Sequence, residues 1–110
     1  MVNPKILCRK HLLGEHVECH MFVGTLKQGK SIKGYIKNNL LEITSLNKRH
    51  DELSQEMIDR GYNHKSPLQS IVPFKEKYNN DYMSKINYKK AYDTLIERCD
   101  DCRERRNVNE

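Results

Sequence analysis

Apolar residues recur at helical spacing in three segments of this chain and alternate at strand spacing in none. That pattern restricts the fold more than any other feature. A period of 3.6 residues buries one stripe of a helix, whereas a period of two buries one face of a sheet. The first segment covers residues 4–25. Pro4 suits a first helical turn, Cys8, Leu12, Cys19 and Val23 form a stripe with Leu13 and Val17 beside it, and Gly24 and Gly29 bracket the end. Gly14 interrupts this pattern, a weak helix position that permits close approach by another group. Residues 26–43 are basic and rich in Gly and Asn, which predicts a loop with one short helical turn. The second helix starts near Thr44 or Ser45, both capping residues. Leu46, Leu53, Met57 and Ile58 mark its apolar side, and Gly61 is its natural stop. Pro67 disfavours helix just before it, and residues 69–83 read as irregular. The third helix begins near Ser84 and places Tyr88, Ala91, Tyr92, Leu95, Cys99 and Cys102 on one stripe. The expected fold is all-α, a compact single domain of three main helices joined by long loops. It spans residues 1–106, with a charged tail at 107–110.

Charge then narrows the function. The 110 residues are 36% apolar and 32% charged, enough for one domain with a thin core. No apolar run reaches membrane-spanning length, and the start does not resemble a secretory leader, so a soluble intracellular protein without a membrane partner is expected. The net charge of +5 is unevenly placed. Residues 1–50 hold nine Lys/Arg against three Asp/Glu, and residues 51–110 hold eleven against twelve. A basic half is the electrostatic footprint of a phosphate-backbone binder. It is equally what a solvated basic face with no partner looks like.

The basic half contains the run KHLLGEHVECHMF at 10–22. His16 and His20 share a helical face at i, i+4, the histidine spacing of the zinc motif H-E-x-x-H. Glu18, however, lies two positions after His16, about 200° around the helix, so it points away from the pair and the motif fails. His11, Glu15 and Glu18 form a separate polar stripe. Cys99 and Cys102 make a C-x-x-C pair. Cys8 and Cys19 are eleven residues apart, about 16 Å on one helix, so at most one of them can join that pair on a metal. Buried structural thiols are the plainer reading, and neither a metal nor another cofactor is expected.

HLLGEHVE, KRHDELSQEMIDRGYNHKSPL and DTLIERCDDCRER together resemble the pyrimidine dimer DNA glycosylase family, over roughly residues 2–105. The resemblance implies an all-helical repair enzyme for damaged double-stranded DNA, acting as a monomer on intracellular, nucleoid-associated DNA. It implies an N-glycosylase joined to an abasic-site lyase. The nucleophile would be the α-amine of Val2 after removal of Met1, Glu18 the acid–base, and His11 a helix histidine orienting the sugar or the catalytic groups. Asn3, Val17 and Met21 stand where the family carries phosphate-gripping arginines. Arg9, Lys10, Lys48 and Arg49 are then the candidates for replacement charge, with Asn3 and His16 as further DNA contacts. Two other readings stay open. One is a noncatalytic damaged-DNA-binding or DNA-bending domain, and the other a protein-binding module docking through GYNHKSPL.

Overall fold

The computed structural model describes residues 2–63, 68, 71, 78, 82 and 84–109, and among them every regular element is helical. Five helices follow in order: α1 (Arg9–Lys27), α2 (Lys33–Lys37), α3 (Leu46–Asp59), α4 (Tyr88–Arg98) and α5 (Asp100–Asn109), with 3-10 turns at Pro4–Ile6 and Ile43–Ser45. None of these helices is long and apolar enough to cross a membrane. The all-α expectation holds. Half of GYNHKSPL (64–67) and most of the segment read as irregular lie outside the described residues.

Two of the expected helices are interrupted, each for a physical reason. The first does not start at Pro4. Leu7 and Cys8 are extended, with ψ of 131° and 166°, so a separate 3-10 turn precedes α1. Asn3 caps that turn by accepting a hydrogen bond from the Lys5 N–H at 3.0 Å. Arg60 holds the break open, its Nη2 donating to the carbonyls of Pro4 at 3.1 Å and Leu7 at 2.7 Å. A continuous helix would spend such carbonyls internally. The third expected helix starts at Tyr88 instead of Ser84, because the Asn87 side chain caps it by accepting from the Lys90 N–H at 3.0 Å. It then divides at Cys99, which is extended at φ −117°, ψ 108°. α5 restarts with Asp100 and Asp101 in its first turn, where carboxylates complement the helix dipole.

Gly61 ends α3 as its position suggested. Its φ is +84°, and the N–H groups of Gly61 and Tyr62 donate to Ile58 and Met57 at 2.9 and 2.8 Å. That is the 5→2 and 6→1 pattern that closes a helix through a left-handed residue.

The core lies along α1. Its C-terminal half contributes Phe22, Val23 and Leu26 to a cluster with Ile32, Leu41, Ile43 and Leu46. Nearer its start and middle, Leu12 and Cys19 pack against Leu7, Leu53 and Met57. Val17 and Ile58, expected on the apolar stripes, are 63% and 52% exposed. The expected stripe of Cys8, Leu12, Cys19 and Val23 is buried, and it widens toward His16 and Phe22, away from Val17, because α3 packs on that side.

Glu42 fastens α4 to this body. Its carboxylate is 2% exposed and accepts hydrogen bonds from the Ile86 N–H at 2.9 Å, the Tyr88 hydroxyl and the Ser45 hydroxyl. Burial would raise its pKa, but these three bonds outweigh burial and lower it. Asn39, left-handed at φ 62°, exchanges two hydrogen bonds with the Asn87 backbone at 2.6 and 3.1 Å.

Candidate active site

The N-terminal segment is held by arginines. Arg49 of α3 is 3% exposed. Its Nη1 donates to the Val2 carbonyl at 2.6 Å, and its Nε and Nη2 grip the Glu15 carboxylate in a fork at 2.8–3.1 Å. One guanidinium thus ties the second residue to the middle of α1 and spends its directional donors within the protein. Arg60 holds the next turn, and Arg105 of α5 donates to the Lys5 carbonyl at 3.0 Å. A chain start would ordinarily be loose. Here its carbonyls are clamped from two sides, which fixes where Val2 sits.

Val2 borders a cavity of about 400 Å³. Lys10, His11, Gly14, Glu15 and Glu18 line it from α1, Tyr88, Ala91 and Leu95 from α4, and Asn39, Leu40 and Ile86 from the connecting segments. The polar stripe read from the sequence therefore faces one space, and Val2 faces it too. Glu18 keeps much of its surface in solvent. Even so, the burial it has, joined by the negative charge of Glu15, raises its pKa above the ordinary carboxylate value, with His11 pulling the other way. A carboxyl whose pKa is raised in a pocket holds a proton more readily than an ordinary one, which suits it to taking and returning a proton. Gly14 is open on this side, and a Cβ placed there meets nothing within 4 Å.

The other sequence candidates scatter. Arg9 stacks over the Tyr62 ring at 5.2 Å, an attractive cation–π contact. Lys48 is exposed and 3.9 Å from Glu52. The Asn3 side chain serves the 3-10 turn. His16 is buried at 8% exposure, and its ring gathers with those of His20 and His50 at centroid distances of 4.8–5.0 Å. The His16 and His50 Nε2 atoms share a hydrogen bond at 3.2 Å. Phe22 belongs to the core and Met21 is exposed. His11 reaches the cavity, while its Nδ1 lies against three cysteine sulfurs. The sequence reading missed the inward role of Arg49 and the contribution of α4 to the cavity, and it left open which of Cys8 and Cys19 meets Cys99 and Cys102. Only the i, i+3 spacings of Cys8 to His11 and of Cys99 to Cys102 hinted at the last.

Comparison with known proteins identifies a family. A family model described as pyrimidine dimer DNA glycosylase aligns with residues 1–70, the part that carries Val2, the whole of α1 and the whole of α3. No curated protein and no solved structure matches the chain.

Proposed function

The chain belongs to the pyrimidine dimer DNA glycosylase family, and from that premise we propose that it excises damaged bases from double-stranded DNA through the α-amine of Val2 and the carboxyl of Glu18. The observation that carries this reading is the shared cavity, where a clamped Val2 and a pKa-raised Glu18 face one space. An α-amine has a pKa near ~8, so a useful fraction is neutral and nucleophilic at pH 7 without burial. After Met1 is removed, this amine attacks the sugar C1′ and forms an N–C1′ bond. The glycosidic bond breaks, and its electron pair leaves with the base, which picks up a proton. The sugar ring opens to an iminium. Glu18 stabilises the cationic sugar and carries the proton released from C2′, and β-elimination then cleaves the C3′–O bond.

Extruding a damaged nucleotide costs a few kcal/mol, about least where pairing is already weakened. Contacts from the basic half offset that cost and make binding fall with salt. We assign that role to Lys10 at the cavity edge and to the exposed Arg9 and Lys48. Arg49 acts differently, holding the nucleophile in position.

Borohydride trapping tests the reading. The Met1-processed protein is incubated with duplexes carrying an abasic site, an ultraviolet-induced dimer or no damage, and then reduced. A covalent adduct mapping to Val2 on the abasic and dimer duplexes is expected. Trapping on the abasic site alone would restrict the activity to the lyase step or to another lesion. Salt-sensitive binding with no adduct on any duplex would leave a noncatalytic damaged-DNA binder.

A further inference from the structure

Beyond the cavity, four chemically matched side chains converge on one point. Cys8, His11, Cys99 and Cys102 each present one ligand atom, and all four atoms lie within 4.8 Å of one another. The His11 Nδ1 is 3.1 Å from the Cys8 sulfur, 3.4 Å from that of Cys99 and 3.5 Å from that of Cys102. The Cys8 and Cys99 sulfurs are 3.9 Å apart. A tetrahedral zinc ion with Zn–S near 2.3 Å and Zn–N near 2.0–2.1 Å sets S···S edges of about 3.8 Å and S···N edges of about 3.6 Å. The three observed S···N separations fall just short of that edge and the observed S···S separation just beyond its own. A sulfide-bridged iron cluster would hold its thiolates farther apart.

The local structure repeats itself at the two contributing segments. Cys8 is the residue before α1 and His11 the third residue within it, while Cys99 precedes α5 and Cys102 is its third residue. Both pairs have the x2 spacing of structural zinc ligands, and both sit at helix N-termini. Backbone N–H groups already point at the sulfurs, Cys8 donating to Cys102 at 3.2 Å and Cys102 to Cys99 at 3.4 Å. Such donors orient and hold the ligands of a metal. The break of the expected third helix at Cys99 belongs to the same arrangement, since it begins a new helix with its N-terminus at the cluster.

We propose that Cys8, His11, Cys99 and Cys102 form a structural Zn²⁺ site that staples the C-terminal helix pair to the segment leading from Val2. Four protein ligands fill a tetrahedral ion and leave no open position, so the site is structural and not hydrolytic. The metal joins residues 8–11 to residues 99–102, with His11 and Cys99 separated by 88 positions in the sequence. It also fixes the base of α4, whose Tyr88, Ala91 and Leu95 wall the cavity. His11 becomes a positioning residue, a ligand on one side and cavity wall on the other. The site stands independently of the repair chemistry, since it rests on ligand geometry alone.

The test is metal analysis of the full chain purified without chelator from zinc-supplemented cells. One tightly held zinc per chain is expected. Cobalt substitution should give the visible bands of tetrahedral Co²⁺ with sulfur-to-cobalt charge transfer, and stripping the metal should lower Tm. His11→Cys should keep the metal and intensify the charge transfer, whereas Cys102→Ala should lose it. His50→Gln controls for the separate histidine cluster and should retain full metal content. Three results would overturn the proposal: no zinc and no cobalt uptake by the unaltered chain, metal lost on His50→Gln but kept on Cys102→Ala, or a Cys8–Cys99 disulfide in the freshly purified protein. Because the first and third readings use the unaltered chain, a misfolded variant cannot rescue the idea.

Discussion

Replacing Arg49 with lysine separates charge from geometry at the point where the fold meets the chemistry. Arg49 makes three hydrogen bonds to Glu15 and one to the Val2 carbonyl. A lysine keeps the positive charge, but its compact ammonium cannot form the fork and reach Val2 together. Arg49→Lys should therefore release the Val2 carbonyl while still neutralising Glu15, whose side chain is 33% exposed and able to recruit water. A hydrogen bond from a charged donor contributes about 1.5–3 kcal/mol. If that contribution is what positions the amine, its loss slows covalent trapping roughly 10- to 150-fold, at about 1.4 kcal/mol per factor of ten. The assay is the single-turnover rate of borohydride-trapped adduct on an abasic duplex, at saturating enzyme so that DNA affinity drops out. A thermal melt should show a loss of about 1–3 kcal/mol. Trapping at the unaltered rate, despite a lowered Tm, would refute the argument that this tether presents the nucleophile.

Further outcomes follow from the rest of the structure. Glu18→Gln should reduce strand cleavage roughly 10²- to 10⁴-fold with little change in Tm. In the unaltered enzyme the acidic limb of the rate profile should lie above the ordinary carboxylate value, because the raised pKa of Glu18 means protonation removes the base at a higher pH. Glu42→Gln should cost about 2–3 kcal/mol of stability. Since the folded pKa of Glu42 is lowered, its contribution is present above the unfolded value and is lost as pH falls through the folded one. The acid limb of a Tm-against-pH curve should therefore be shallower in the variant. Gly14→Ala should raise stability by up to about 1 kcal/mol through helix propensity yet weaken trapping, because the new methyl projects into open cavity space. Equal or faster trapping would show that this part of α1 is not approached by substrate.

Local rules sufficed wherever a neighbour in sequence completes the interaction. Helical periodicity alone settles the all-α class, and Gly61 ends α3 because only the local backbone is involved. The stripe of His11, Glu15 and Glu18 follows from helical spacing and does share one cavity wall. The sequence also carries the family, most densely in residues 1–70. Tertiary packing decided the rest. Whether Arg49 meets DNA or turns inward depends on Glu15 and Val2, which lie 34 and 47 residues away. The start of the first helix depends on Arg60, 53 residues beyond the Leu7 carbonyl it grips. Which flank of the α1 stripe is covered depends on the helix that packs on it, a choice that periodicity leaves free and that turns Val17 to solvent. Cys8 and Cys102 each look like one more buried thiol until a contact across 94 residues brings them together. Spacing along the chain fixes which side chains share a helix face. Only the long-range folding of α5 against the N-terminal turn determines which faces meet.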